Sequence, residues 1–218
     1  HSLGKVKKQN LIDQGWNEED INKKYKTSDR IKAEEDIIFY SDRIITSTNQ
    51  EINVQYGNYE NFEKGKFIAI PPGVDLNKFR PFSDKREWKD KQRELRQKIR
   101  EELWKFFTNM YKPIIFTLCR PEKRKNITGL IEAYGEDQEL QKLANLAIFA
   151  GIRKDIKEMP EIEREVLTEI LLLLDKYNLY GKMAIPKRHD IEYEVPELYR
   201  IAAESRGVFV NSAYSETF

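Results

Sequence analysis

The sequence predicts an α/β protein built on parallel sheets, and three observations carry that expectation. From Pro113 onward four short apolar segments, IIFTL at 114–118, LAIFAG at 146–151, MAIP at 183–186 and GVFVN at 207–211, alternate with stretches of helical periodicity. Residues 1–110 carry the same alternation in a less complete form. Hydrophobic residues make up 39% of the 218, with 11% aromatics, enough to fill the core of one large domain or two small ones.

In chain order, 30–40 reads as a helix, RIITST at 43–48 as a strand and 49–56 as a helix opened by a capping residue. KFIAIPPGVD at 66–75 reads as a strand leaving into a turn. Residues 83–107 are charged throughout, with Trp88, Leu95, Ile99, Leu103 and Phe106 at helical spacing. Acids alternate with bases there, so the stretch is an amphipathic helix lying on or linking the domains, with no nucleic-acid or membrane role. Between the later strands, 127–143, 161–177 and 195–203 read as helices. The second repeats Ile162, Val166, Ile170, Leu173, Leu174 and Tyr177 at three and four residue spacing, behind a Pro160 suited to a helix start.

Charge excludes some classes of function. Charged residues reach 34%, yet 38 Lys and Arg nearly cancel 37 Asp and Glu, and a net charge of +1 argues against a general nucleic-acid binder. Cys119 stands alone, so no intrachain disulfide forms; its position at the end of an apolar run predicts a small buried thiol in a reducing, cytoplasmic setting. No stretch approaches the ~18 apolar residues of a membrane span, and no signal peptide opens the chain. The start at His1 without Met and the stop at SAYSETF, directly after an apolar strand, read as a fragment.

In an open parallel sheet, ligands sit at the carboxyl ends of the strands, where loops converge and helix N-termini present free N–H groups. The exits are 120–126, 151–154, 187–189 and 211–216. At the first, Arg120, Lys123, Arg124 and Lys125 precede a helix, the make-up of a phosphate or diphosphate site, although any such loop can carry solvated cations. Glu216 at the fourth exit would bring a carboxylate to the same crevice. G-x-G-x-x-G and G-x-x-x-x-G-K are absent, one Cys and two distant His make a zinc site improbable, and no Asp-x-Asp pair offers a Mg²⁺ clamp. Side-chain cations are then the source of charge neutralisation, with no metal and no cofactor.

HSLG at 1–4, RIKAEE at 30–35, SDRIITSTNQEI at 41–52, IPPGVD at 70–75, RPEKRKN at 120–126 and LDKYNLYGKMAIPKRH at 174–189 resemble the sucrose-phosphate synthase family, and VPELYRIAAESRGVFVNSAYSETF continues the likeness to the end. The resemblance implies a retaining nucleotide-sugar glycosyltransferase of GT-B type, with two Rossmann-like domains each only partly present. Residues 1–110 would be the later part of an acceptor domain plus the helical linker, and 111–218 the first part of a donor domain. It implies transfer of glucose from UDP-glucose to fructose 6-phosphate, in a cleft between the domains. By position, Arg120 and Lys125 match the family's diphosphate-gripping cations and Glu216 the first acid of a paired-acid motif near the donor glucose. His1 matches a histidine facing the reacting sugars, and Arg30 lies in a block associated with the acceptor phosphate. The third exit, with Lys187 and His189, is where the family places the nucleotide base, and Gly151, a permissive bend after the second strand, completes the donor-facing set. Retention would come from front-face attack, the leaving phosphate taking the acceptor's proton. Related transferases using GDP-mannose or free fructose, such as mannosylfructose-phosphate synthase or sucrose synthase, remain alternatives, as does a noncatalytic sugar-nucleotide-binding fragment. The isolated chain is expected to be inert or nearly so.

Overall fold

A computed structural model describes residues 3–81, 83–84, 90–187, 190 and 192–214. The described chain forms two compact units, 3–74 and 75–214. This division falls earlier than the 110/111 boundary that the resemblance implies.

The first unit opens with three helices, α1 (Gly4–Asp13), α2 (Glu18–Tyr25) and α3 (Thr27–Tyr40), the first two in a stretch where the sequence reading assigned no element. Strand β1 (Ile44–Thr46) pairs in parallel with β2 (Phe67–Ala69), Ile44 opposite Phe67. The segment expected to be one helix over 49–56 is helical throughout, with π-type bonding over Glu51–Gln55 and a 3₁₀ turn, Tyr56–Asn58, behind it. Its cap is Thr48: Thr48 Oγ1 accepts from the Glu51 amide at 3.1 Å while Glu51 Oε2 accepts from the Thr48 amide at 3.3 Å, a capping box, and from the Ser47 amide at 2.7 Å. The core is small: Ile38, Ile52, Tyr59 and Phe67.

In the second unit, α4 (Asp90–Trp104) leads to strand β3 (Ile114–Cys119), then α5 (Ile127–Glu136), α6 (Gln138–Leu143) and β4 (Asn145–Ala150). Next come α7 (Glu161–Lys176), β5 (Met183–Ala184), α8 (Glu194–Glu204) and β6 (Val208–Phe209). The helix expected over 127–143 is broken at Asp137, whose extended backbone and side chain, accepting from the Leu140 amide at 2.9 Å, start α6 afresh. All strands of this sheet run parallel in the order β5-β4-β3-β6, with β3 in register with β4 from Ile114–Asn145 to Cys119–Ala150.

Every residue of β4 is buried, as befits a parallel strand covered on both faces. Its side chains alternate. Leu146, Ile148 and Ala150 join Ile127 and Ile131 of α5 and Val166, Leu167 and Ile170 of α7; Ala147 and Phe149 join Ile99 and Leu103 of α4 and Leu198 and Ile201 of α8. The amphipathic stretch read as a linker therefore covers one face of the second sheet. Cys119, expected to be buried, is only partly so, because it stands at the open end of β3. Among the described residues no helix is long and apolar enough to cross a membrane.

Candidate functional site at the strand exits

The chain steps outward from β3 to β4 to β5 and then returns to lay β6 on the other side of β3. The strand order reverses at that point, the position at the carboxyl edge of an open parallel sheet where ligands are expected. The loop after β3 is wound tightly. Glu122 N donates to Arg120 O at 2.8 Å, Lys125 N to Glu122 O at 2.9 Å and Asn126 N to Lys123 O at 3.1 Å, making a 3₁₀ turn over Lys123–Lys125. Asn126 takes the left-handed conformation (φ 50°) that asparagine tolerates, and α5 begins directly behind it with no side-chain cap. The first-turn N–H groups of a helix lack intrahelical partners, so this end carries partial positive charge.

The exit of β6 is tied to this turn. Ser212 Oγ donates to Lys125 O at 2.9 Å and Tyr214 N to Arg124 O at 3.0 Å. The polar residues following β6 thus track the cation loop, as the exit rule predicts. Arg120 is the more exposed of the two loop cations that face Glu122, and its Nη1 stands 3.5 Å from Glu122 Oε1. Arg124 Nε donates to Glu122 Oε2 at 2.7 Å, and Lys123 pairs with Glu165 of α7 at 2.9 Å.

Gly151 follows β4 with φ 68°, and a Cβ there would stand 3.1 Å from Pro121 Cδ. Both facts call for glycine, whose missing side chain lets the β3 and β4 exits pack together. The next exits are joined by Arg153, which sequence reading passed over within 151–154. Its guanidinium, buried, donates to Pro186 O and Ile185 O at 3.1 Å each, and its amide donates to Lys187 O at 2.9 Å. Desolvation lowers its pKa from the ordinary value. Beside this clamp a cavity of about 780 Å³ opens between α4 and the β4 and β5 exits, floored by Phe149, Ile152 and Pro186 and edged by Lys98 and Lys187.

Arg120 and Lys125 therefore share one loop, with Gly151 and Lys187 at the adjoining exits of the same edge. Arg30 belongs to the first unit, where its Nε donates to Glu34 Oε1 at 2.9 Å. The same Glu34 carboxylate accepts from the Gly4 amide at 2.8 Å and from the Tyr59 hydroxyl, so it fixes the start of α1. Burial, then the bond to Glu34, pushes the Tyr59 phenol well above its usual range. His1, His189 and Glu216 lie outside the described residues.

Comparison with known proteins adds to this geometry. No family model matches the chain. A probable sucrose-phosphate synthase 2 of Arabidopsis thaliana is 38% identical over 240 residues, covering all of this chain and 23% of the relative. A probable sucrose-phosphate synthase 4 of Oryza sativa subsp. japonica is 40% identical over 244 residues, again over the whole chain and 23% of the relative. The chain is homologous, end to end, to part of sucrose-phosphate synthase. It spans about a quarter of the length of these curated relatives. Among solved structures, sucrose-phosphate synthase from Thermosynechococcus elongatus superposes with TM-score 0.62 at 22% identity, covering 100% of this chain and 44% of that one. The catalytic domain of starch synthase IV from Arabidopsis thaliana, bound to ADP and acarbose, superposes with TM-score 0.53 at 17% identity, covering 84% of this chain and 37% of that one. The fold is that of GT-B glycosyltransferases, in partial Rossmann-like form.

Proposed function

We propose that this chain carries the donor-diphosphate site of a retaining glycosyltransferase that moves glucose from UDP-glucose to fructose 6-phosphate, with release of UDP. The observation that supports it most is the pairing of the β3 and β6 exits. Ser212 and Tyr214 bond to the backbone of Lys125 and Arg124, beside Arg120 and directly ahead of the uncapped α5. A pyrophosphoryl group set there would meet guanidinium, ammonium and helix-end amides together. Adjacent strands lie ~4.8 Å apart, so the β5 exit is ~10 Å from that of β3. A nucleoside diphosphate laid along the edge would then place its base near Lys187 and the cavity beside it.

The chemistry follows from charge. Breaking the anomeric bond leaves positive character on the sugar carbon and negative charge on the departing UDP. Cations fixed at the diphosphate bind that state better than the ground state, in a role that calls for neither metal nor cofactor. Starch synthase IV was solved with ADP, and a further structure of the same fold, Anabaena HepE, with UDP and glucose; it superposes with TM-score 0.53 at 11% identity. Both support a nucleotide and a sugar as the ligands of this fold.

The test is nucleotide release from UDP-glucose or GDP-mannose, each offered with fructose 6-phosphate or fructose, by a protein extended to the relatives' full length. Turnover is expected with UDP-glucose and fructose 6-phosphate, and Arg120→Met should lower its rate ~30- to ~1,000-fold, the cost of ~2–4 kcal/mol of barrier. Preference for GDP-mannose or free fructose would replace the substrates named here. UDP binding without turnover on any pair would leave a binding module in place of an enzyme.

A further inference from the structure

We propose that Glu122 is a resident counter-ion that the diphosphate displaces, so that this acid sets how tightly the loop holds its anionic ligand. The inference rests on the donor-site reading above and assigns a role to a residue that reading leaves unused. Glu122 sits between two arginines in sequence and in space: Oε1 is 3.5 Å from Arg120 Nη1 and Oε2 is 2.7 Å from Arg124 Nε. Its side chain is 25% exposed, against 76% for Arg120 and 44% for Arg124, so the acid lies beneath the cations that a ligand would approach.

The position of Glu122 comes from the backbone. Its amide and carbonyl are both used in the turn, and Pro121 before it is packed against Gly151. Glutamine at 122 keeps those contacts and the side-chain shape while removing the charge.

A carboxylate and a phosphate present similar acceptor edges to a guanidinium fork. While Arg120 faces Glu122, that edge of its fork is turned away from any other anion. An incoming diphosphate exchanges one acceptor for another, and the carboxylate left behind repels it. The opposite effect is that Glu122 props the arginines in a competent arrangement. Exposed ion pairs hold long side chains weakly, and Lys123 is already paired elsewhere, with Glu165. Loss of the competing charge therefore outweighs loss of the prop, and removing the acid should tighten binding.

The experiment titrates UDP and, separately, inorganic pyrophosphate into the 218-residue chain and its Glu122→Gln, Arg120→Gln and doubly substituted forms, at low and high salt. Far-UV circular dichroism checks that each is folded. Glu122→Gln is expected to bind both anions ~2- to ~5-fold more tightly at low salt, the range an exposed ion pair supports. The gain should shrink at high salt, where exposed charges are screened, and disappear when Arg120 is also replaced. A role confined to holding the loop's shape cannot produce a gain in affinity. UDP binding that is unchanged or weakened by Glu122→Gln, while Arg120→Gln weakens it, overturns the counter-ion role and leaves the donor site standing. Binding insensitive to Arg120→Gln, or no binding by any form, overturns both.

Discussion

In the second unit the sheet is covered on both faces by helices whose apolar side chains recur at helical spacing, and β4 buries all six of its residues. In the first unit the sheet is two strands of three residues, and adjacent acids of α3 supply the long-range ties. Glu34 accepts from the Gly4 amide, while Glu35 accepts from the amides of Glu60 and Asn61 at 2.8 and 2.9 Å and from Lys5 Nζ at 2.9 Å. Apolar burial is non-directional and tolerates exchange, whereas each carboxylate here satisfies particular donors and has no substitute. The difference teaches that two units of one α/β design can be specified by different interactions, one by periodicity and the other by a few polar contacts.

The comparison breaks at one place in the second unit, and the largest expected effect is there. Glu197 of α8, fully buried, takes both Arg200 Nη1 and Arg96 Nε of α4, the latter at 2.9 Å. Arg200 in turn donates to Arg80 O at 3.1 Å and to Lys78 O, which ties the segment at the start of this unit to α8. Burial lowers the Arg200 pKa from its ordinary value, and Glu197 works against that shift. Glu197→Gln keeps the volume and leaves guanidinium groups without their carboxylate, so it should cost ~3–5 kcal/mol of unfolding free energy in urea. A near-neutral result would mean that the α4–α8 contact rests on its apolar seam alone.

Next in size is Ile170→Ala in α7, which should cost ~2–5 kcal/mol, because the side chain is fully buried in the same cluster as Val166, Leu146 and Met183, where a void closes poorly. Ile38→Ala, equally buried in the smaller cluster of the first unit, should fall at the low end of that range, since its neighbours lie nearer the surface and can relax. Hydrogen exchange read separately for each unit checks the pair. Equal losses would remove the contrast between the two cores.

How much could be read beforehand follows the same division. The strands from 114 onward, α7 and the carboxyl-edge position of Arg120, Lys125, Gly151 and Lys187 were legible because alternation and apolar spacing are local signals. The break at Asp137 was hidden because the apolar pattern runs through it; the available clue was an acid three residues ahead of Leu140, where a cap would sit. The helix over 49–56 was legible, since Thr48 and Glu51 spell a capping box, but its π-type widening at Glu51–Gln55 was not. Glu34, Glu35, Arg153 and Glu197 could not be found, because their partners are distant in sequence or are backbone groups that leave no mark on composition. At the site, Glu122 went unread within RPEKRKN, where only the cations were singled out. Its placement beneath Arg120 and Arg124 comes from the tight turn, which spacing alone does not announce.

The smallest expected effect tests the polar half of the comparison by pH. Burial alone would raise the Glu35 pKa, but the amides of Asn61 and Glu60 and the Lys5 ammonium favour the ionised form and hold it below its ordinary 4.5. A carboxylate depressed in the folded state contributes stability that is complete above its unfolded pKa and is lost as pH falls through the lower, folded value. Glu35→Gln should therefore weaken the first unit by ~1–3 kcal/mol at neutral pH, the cost of unmatched amide donors and a lost charge-assisted bond. The gap between wild type and variant should narrow as the solution is acidified from neutral pH through the lowered folded-state pKa of the carboxyl. Urea midpoints of the first unit across that range make the measurement. A gap that stays constant would assign the Glu35 contribution to shape in place of charge, and the first unit would then be held by packing in the same way as the second.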